Sequence, residues 1–536
     1  MQQFPEVVIS AWFTHKQEAF CTFLKTLVSS RTRRNAVANL GGLIASNLCV
    51  FIFLPLYLPL LGKEAYGLVG LFSTLNLFFN LVDAGVGAGA TREIARSSEA
   101  SGTKSLNHLL RAVELVYLVA ALIGGVLLVA FSPWAARHWL NPQSLSLHEV
   151  TVCLQLVGAI LALRFLCGVY FGVLLGLQRQ VVSNCLRVGQ SFLSGAGAYL
   201  VLRFLSATPQ AFFLFQLALV LATLFVAAVW AWWLLPSPFH FALEPDWKRL
   251  KSILRYGMGM TLTSLLAFAL SSIDKIMIGA LLPLGDLGAY SIAANLNIAF
   301  AGIPAAIAVA AFPRLAQADA QEDHVALEHA FHAASRAMQM LVLPLGAAAF
   351  IALPTALHLW LGDASLADRI TPVTILLVFG TCLGALCQIP YQMTLAKGFS
   401  MYAVYQSLVA LPLALPLTYI SIKHFGLVGS AFVYALLNLG IVAFSNPIVV
   451  RLYFPSRWVR CTICHGLCPA ALLIAALAFS HSGFGRRPTS LAVAAVVACG
   501  AALLLYVLAR ELHRRTATPA LGSLPQIPTR SPGEVR

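Results

Sequence analysis

The chain has 536 residues, of which 59% are hydrophobic and 10% are charged, and it carries a formal net charge of +15. A soluble protein has roughly 25% charged residues, so this composition excludes a soluble globular protein and indicates a membrane protein. Most basic residues lie beside the ends of apolar segments, where membrane topology and anionic lipid account for them, so the charge does not indicate a nucleic-acid partner.

Apolar segments long enough to cross a bilayer recur along almost the whole chain. A spanning helix needs roughly 20 apolar residues, and about fourteen segments meet that condition. If the N-terminus is cytoplasmic, 26 of the 35 Lys and Arg residues lie on the inner side and 7 on the outer side. This excess places both termini in the cytoplasm. The predicted spans are 36–61, 65–90, 108–131, 149–176, 184–205, 211–235, 257–282, 289–311, 335–357, 372–395, 402–422, 427–450, 464–481 and 490–509.

Polar breaks between the spans divide the chain into six predicted parts. The first segment lacks the features of a signal peptide, and the last is rich in proline, as disordered tails are. The parts are a cytoplasmic N-terminal segment (1–35), an N-terminal six-helix lobe (36–236), a cytoplasmic linker (237–256), a C-terminal six-helix lobe (257–451), two additional helices (452–510) and a disordered cytoplasmic tail (511–536).

Two charged residues in the first predicted lobe are candidates for function. A charge at membrane depth costs about 2.5 to 3.5 kcal/mol, so it usually faces a bundle interior or a wet cavity. Asp83 lies near the inner end of the second span, among small residues that permit close helix approach. Arg164 lies in the middle of the fourth span and needs an acidic partner, water or an anionic ligand such as phosphate. The alternative for Arg164 is an ion pair with Asp83 or Asp274 that only locks two helices.

An adjacent acid and base, Asp274 and Lys275, lie in the seventh predicted span. Neighbouring positions on a helix point about 100° apart, so the two side chains do not face each other. Either Lys275 meets a phosphate or sugar oxygen while Asp274 pairs with Arg164, or Asp274 takes up a proton during coupling. The alternative is that Lys275 extends toward the outer interface, as lysines near span ends do.

The segment Cys461, Cys464 and His465 has the C-x-x-C-H spacing of covalent haem attachment. Three arginines between positions 451 and 460 place it on the cytoplasmic side, whereas c-type haem is attached outside the cytoplasm. We therefore predict neither a cofactor nor a metal site here. No nucleophile, base and orienting group converge elsewhere in the sequence, so no catalytic residue and no enzyme activity is predicted.

The segments 61–67 and 284–290 resemble each other, and each precedes a span that contains two asparagines. Chance similarity is the alternative explanation. A true repeat would relate two six-span halves as parallel copies, which can rock around a central site.

Five segments carry a resemblance to a known family: 61–67, 83–95, 176–180, 274–279 and 288–293. They resemble the polysaccharide-transporter branch of the multidrug/oligosaccharidyl-lipid/polysaccharide exporter superfamily, the Wzx-type flippases. The resemblance covers about residues 35–455.

This resemblance implies an all-α polytopic membrane protein with two MATE-like six-helix lobes plus two C-terminal helices. It implies that an undecaprenyl-diphosphate-linked oligosaccharide crosses the bacterial inner membrane by alternating access, for O-antigen, capsule or exopolysaccharide synthesis. The family's charged cavity can be carried over only onto Arg164, Asp274, Lys275 and Asp83. The expected partners are the lipid-linked oligosaccharide and bilayer lipid, with a glycan polymerase and the export machinery as further candidates.

Three other functions compete with this one. A MATE-like drug or metabolite antiporter would export cationic dyes, and a peptidoglycan-precursor flippase would share the span count. A membrane glycan polymerase or ligase would need a substantial outer loop, which the predicted topology lacks.

Overall fold

The computed structural model describes residues 31–100, 103–234, 247–399 and 401–480. Ten helices in this part of the chain are long and apolar enough to span a membrane. The predicted all-α polytopic fold is confirmed. The helices are α1 (Arg31–Leu61), α2 (Lys63–Ala100), α3 (Thr103–Trp134), α4 (Leu147–Gly176), α5 (Gln180–Phe204), α6 (Pro209–Trp233), α7 (Trp247–Leu281), α8 (Leu284–Ala320), α9 (His324–Leu361), α10 (Ala364–Ala396), α11 (Tyr402–Gly440), α12 (Asn446–Tyr453), α13 (Trp458–Thr462) and α14 (Cys468–Ser480), with π-helical turns at Ala135–Trp139, Ile441–Ser445 and Ile463–Leu467.

Each of the first thirteen predicted spans falls on a helix, and the fourteenth, 490–509, lies outside the described residues. Most of the predicted N-terminal segment and the whole C-terminal tail also lie outside them. Helix α7 begins at Trp247, within the predicted linker, so the described end of that linker is helical.

Two predicted spans share the long helix α11 and are separated at Gly426. The helical segment Tyr402–Tyr453 has 52 residues. A straight helix of that length would measure about 78 Å, more than twice the hydrocarbon thickness of about 30 Å. Gly426 has φ 58° and ψ −135°, a conformation that glycine adopts without a steric penalty. The chain therefore breaks there, between the eleventh and twelfth predicted spans.

The chain forms two compact units, each with its own packing. Unit 1 comprises the described residues within Met1–Ala299, Leu357–Leu377 and Ser400–Leu437, and unit 2 those within Phe300–Ala356, Val378–Phe399 and Asn438–Arg536. This division differs from the two consecutive lobes, whose boundaries stay a prediction.

An aromatic cluster forms part of the core of unit 1. The rings of Tyr117 on α3 and Phe165 on α4 stack with their centroids 4.8 Å apart. Ile94 of α2 and Trp232 of α6 pack into the same cluster. An aromatic pair contributes about 0.5 to 1.5 kcal/mol beyond the area it buries. The cluster thus packs α2, α3 and α6 around the C-terminal half of α4.

Small residues allow α4 to approach α2 closely. Gly168, Gly172 and Gly176 follow one another at four-residue spacing, which places them on one face of α4. The hydroxyl of Thr91 donates to the carbonyl of Gly172 at 3.3 Å, and a Cβ added at Gly176 would lie 2.9 Å from Ile94. Close packing of this kind drives helix association in lipid, where burial of apolar surface contributes little.

A chain of polar side chains joins α9 to the turn Ile463–Leu467 in unit 2. The amide of Gln339 lies 2.9 Å from Nδ1 of His465, whose Nε2 lies 2.7 Å from Nδ1 of His332. Nε2 of His332 lies 3.5 Å from the carboxylate of Glu328. A consistent proton assignment lets each group donate to the next, from Gln339 to Glu328. The histidine of the C-x-x-C-H segment therefore has hydrogen-bond partners, and no group of three residues suited to a metal is found in the described part of the chain.

Candidate functional site

Asp83 lies inside unit 1, where α2, α3 and α4 meet. The hydroxyl of Tyr117 donates a hydrogen bond to its carboxylate, and Arg187 of α5 is close enough to interact with it electrostatically. A Cβ added at Gly168 would lie 2.7 Å from Oδ2 of Asp83. The glycine therefore makes the space that this carboxylate occupies.

Arg164 is half-buried one helical turn before Gly168 on α4. Its Nη1 donates to the amide oxygen of Asn76 at 3.4 Å, and its guanidinium lies 5.1 Å from the ring centre of Phe72. Its Nε is buried and has no hydrogen-bond partner among the described protein atoms. Among the described residues, Arg164 forms no ion pair with Asp83, Asp274 or any other acidic side chain.

Asp274 and Lys275 lie on α7, two turns before its end at Leu281. The hydroxyl of the fully buried Tyr290 donates to Asp274 at 2.6 Å, and the backbone N–H of Lys275 donates to the other carboxylate oxygen at 2.8 Å. The side chain of Lys275 is half-buried, and its ammonium forms no ion pair with a described residue. Asp274 is thus held by neutral donors, and within the described residues Lys275 has no ion-pair partner.

The four predicted site residues occupy three separate places in unit 1. Asp83 has Tyr117 and Arg187, Arg164 has Asn76, and Asp274 with Lys275 has Tyr290. No ion pair joins these places in the part of the chain described, and the proposed role of the four residues stays a prediction.

Sequence reasoning missed Arg187 as an intramembrane charge. It lies three residues inside the predicted fifth span and was counted with the inner side. Its guanidinium lies 4.6 Å from the ring centre of Phe171. The signal in the sequence is its position inside the predicted span 184–205, within one helix turn of the span's end.

Salt bridges and a capping carboxylate connect four turns at one end of unit 1, which we call the ion-paired end: residues 61–64, 140–146, 282–286 and 361–369. Lys63 pairs with Asp363 at 3.0 Å, and Arg369 pairs with Asp286. Glu64 accepts the backbone N–H groups of 143–145, two of them at 2.7 and 3.0 Å.

Asp363 of the ion-paired end titrates below the usual range. It accepts the backbone N–H of Leu366 and pairs with Lys63, and these contacts lower its pKa. The carboxylate is therefore ionised throughout the physiological pH range.

The helices α2 and α8 cross in contact at the ion-paired end. A Cβ added at Gly67 would collide with the carbonyl oxygen of Leu284, and one added at Gly288 would collide with that of Lys63. Ser291 packs equally closely on Gly70. The two similar segments predicted from the sequence thus contact each other reciprocally, and their origin as a repeat stays a prediction.

The long apolar helices with charges inside them define a multi-pass membrane protein. The chain is similar to the lipid II flippase MurJ in an inward closed conformation, with TM-score 0.68, 11% identity, and coverage of 90% of this chain and 99% of that one. It is also similar to a multidrug resistance MATE family transporter in an inward-facing conformation, with TM-score 0.62, 15% identity, and coverage of 84% and 94%. At these identities the likeness shows the fold alone.

Sequence comparison identifies the family to which the chain belongs. Residues 32–319 match the family described as polysaccharide biosynthesis protein, and residues 260–420 match the MatE family. The chain belongs to the polysaccharide biosynthesis protein family, the Wzx-type polysaccharide transporters, which confirms the resemblance found in the sequence. A candidate O-antigen transporter from Shigella flexneri is 23% identical over 406 residues, covering 74% of this chain and 93% of that protein.

Proposed function

We propose that this protein moves an undecaprenyl-diphosphate-linked oligosaccharide across the bacterial inner membrane by alternating access, without changing it covalently. Family membership and the O-antigen transporter relative support transport of a lipid-linked glycan. The observation that carries the finer proposal is Arg164, whose guanidinium is met by a neutral amide rather than a carboxylate.

An anionic headgroup offsets the cost of this unbalanced cation. The planar guanidinium matches two phosphate oxygens, and Lys275 supplies a second charge in the same unit. Two opposite unit charges about 4 Å apart attract by about 4 kcal/mol at an effective dielectric constant near 20. That energy is comparable to the cost of about 2.5 to 3.5 kcal/mol for a charge at membrane depth. A diphosphate headgroup therefore suits the unit better than a cationic drug does.

The test is transport in liposomes that contain a fluorescent undecaprenyl-diphosphate-linked glycan. A membrane-impermeant quencher measures the rate at which the label changes leaflet, and recovery of the intact lipid shows whether it was altered. We expect Arg164→Gln to slow movement by at least about tenfold, because a hydrogen bond to a charged group contributes about 1.5 to 3 kcal/mol. Arg164→Lys keeps the charge and retains part of the rate.

The matched control is Arg203→Gln, which removes an exposed positive charge from α5 and leaves the rate unchanged. Two results would contradict the proposal separately. Wild-type protein no faster than protein-free liposomes refutes the transport function. Equal rates for wild type and Arg164→Gln refute the role of Arg164 while leaving transport intact.

In the proposed alternating-access cycle, the ion-paired end acts as a gate that is closed in one state and open in the other. Lys63→Glu would repel Asp363 and favour the open state, whereas Lys63→Glu combined with Asp363→Lys restores the pair. Transport that is slowed by the single change and restored by the double change supports the gate. An equal loss in both variants contradicts it.

The proposed orientation has both termini in the cytoplasm, so the ion-paired end faces the periplasm. Labelling of Lys63→Cys from the periplasmic side by an impermeant maleimide, above the wild-type background, tests this placement. Labelling only after the inner side is exposed would reverse it. A glycan polymerase and export machinery are the proposed protein partners.

A further inference from the structure

Two histidine rings in unit 2 contact each other at a place that the proposed transport function does not use. His465, in the turn Ile463–Leu467, is 8% exposed, and the ring of Phe331 packs against it with centroids 6.0 Å apart. His332 of α9 stacks on Phe454, with ring centroids 6.4 Å apart. Nδ1 of His332 lies 2.7 Å from Nε2 of His465. A short hydrogen bond between two rings that water reaches poorly therefore joins the turn to α9.

Gln339 of α9 determines where the protons of this chain lie. Its Nε2 donates to the backbone carbonyl of Cys464 at 3.2 Å, and because a carbonyl oxygen only accepts, the amide nitrogen faces the turn. The same nitrogen lies 2.9 Å from Nδ1 of His465, to which it also donates. His465 therefore carries its proton on Nε2 and donates to His332, which carries its own on Nε2, toward Glu328. Both rings are neutral in the closed chain.

The closed chain has no place for a further proton. On His465 the new N–H at Nδ1 would point at the NH₂ group of Gln339. On His332 it would point at the N–H of His465, and moving the proton along the chain only transfers this conflict to Gln339. In each case a hydrogen bond is replaced by a contact between two donors. Protonation and closure thus exclude each other.

The charged groups around the rings do not supply a site for the extra charge. Glu328, one turn before His332, lies 3.5 Å from its Nε2 but also pairs with Arg457. Nε of Arg336 donates to the backbone carbonyl of His332 at 3.2 Å, and its guanidinium acts electrostatically on both imidazoles. The thiol of Cys461 lies 3.9 Å from the same Nε2. One carboxylate is therefore set against two guanidinium groups.

We propose that Gln339, His465 and His332 form a pH-sensitive latch, which holds the turn Ile463–Leu467 to α9 at neutral pH and releases it when both rings gain a proton. In the released form the rings are hydrated and titrate as exposed histidines do, near pH 6.5. The closed latch binds two protons fewer than the open one, so falling pH favours opening and rising pH favours closure. In the proposed orientation the latch responds to acidification of the cytoplasm, and it does not depend on the proposed substrate.

Double electron–electron resonance on the full-length protein in lipid nanodiscs tests the latch. Spin labels at Val325→Cys on α9 and Val459→Cys on α13, positions that are 67% and 49% exposed, report the distance between these helices. The native cysteines that react with the label are replaced by serine. We expect one distance at pH 7.5 and a longer one that replaces it below about pH 6.5. Because two protons are taken up together, the change from 10% to 90% open spans about one pH unit. An unchanged distance from pH 7.5 to 4.5 overturns the proposal.

His465→Gln keeps the hydrogen bonds of the chain but removes one titrating ring. The new amide accepts from Gln339 with its oxygen and donates to His332 with its nitrogen. With one proton left to bind, the transition should widen to about two pH units. His329→Gln is the matched control, because it removes an exposed histidine of α9 and leaves the width at one unit. Equal widths in wild type and His465→Gln overturn the proposal.

Gln339→Glu tests the proton assignment without removing a histidine. Its carboxylate accepts the N–H that a protonated His465 presents at Nδ1. The closed latch then holds one proton itself, so the transition should move to lower pH. Gln317→Glu adds the same charge at an exposed position on α8 and should leave the transition where it is. A transition that Gln339→Glu does not move, or that both variants move equally, overturns the role of Gln339 and the latch with it.

Discussion

Gly67→Ala should open the ion-paired end, because the new methyl group has no space at the crossing of α2 and α8. The Cβ would lie 3.0 Å from Cγ and Cδ1 of Leu284 and closer still to its carbonyl oxygen. Backbone cannot rotate away as a flexible side chain does, so the helices must separate. Overpacking of this kind costs about 1 to 3 kcal/mol. A cost of about 2 kcal/mol changes the ratio of closed to open forms by roughly 30-fold.

Leu287→Cys reports this opening, because Leu287 is 1% exposed at the crossing and cysteine is smaller than leucine. We expect Gly67→Ala to raise the rate of maleimide modification of this cysteine by roughly 30-fold if the opening is fast. Gly285→Ala is the matched control, since a Cβ there meets nothing within 4 Å. Equal modification rates with and without Gly67→Ala would refute the argument, as would a comparable increase with Gly285→Ala.

Three further outcomes follow from single contacts. Gly168→Ala places a Cβ 2.7 Å from the Asp83 carboxylate and should lower the unfolding free energy by about 1 to 3 kcal/mol. Gly189→Ala is the control, because a Cβ there has nothing within 4 Å and should leave the unfolding free energy unchanged. Equal shifts of the melting temperature in the two variants would contradict this reasoning. Tyr290→Phe removes the hydroxyl that donates to Asp274 and should lower the unfolding free energy by about 1 to 3 kcal/mol. An unchanged unfolding curve would contradict this expectation. The lowered pKa of Asp363 stabilises the ion-paired end above the ordinary pKa of an aspartate, and this contribution is lost as the pH falls through the lowered value. The readout is the maleimide rate at that end divided, at each pH, by the rate of a fully exposed cysteine, because both rates follow the thiolate fraction. This ratio should stay constant from pH 8 to 5 and rise only below about pH 4, so a rise near pH 6 would contradict the assignment.

The helices were predictable because span length and apolar composition depend on local sequence. Thirteen predicted spans fall on helices, and the break at Gly426 lies where two spans were separated. The positive-inside pattern also predicts an orientation, which depends on the loops rather than on packing and stays a prediction.

The partners of the charged residues were not predictable from the sequence. Asn76 and Arg164 are 88 positions apart, and Tyr117 and Asp83 are 34 apart. Which side chain meets which depends on the rotation of each helix and on how closely two helices approach. The glycines on one face of α4 allow another helix to approach closely, but the sequence does not show that this helix is α2. The ion pair with Asp83 or Asp274, the alternative considered for Arg164, was therefore one choice among several.

The reciprocal crossing of α2 and α8 limits how this transporter can be recombined with its relatives. Each helix supplies the small residue that accommodates the other's backbone, so the two surfaces form one mutual fit. A hybrid that joins α2 of one homologue to α8 of another would combine two crossing surfaces that do not have complementary shapes. Such hybrids should function only when both crossing segments come from the same parent.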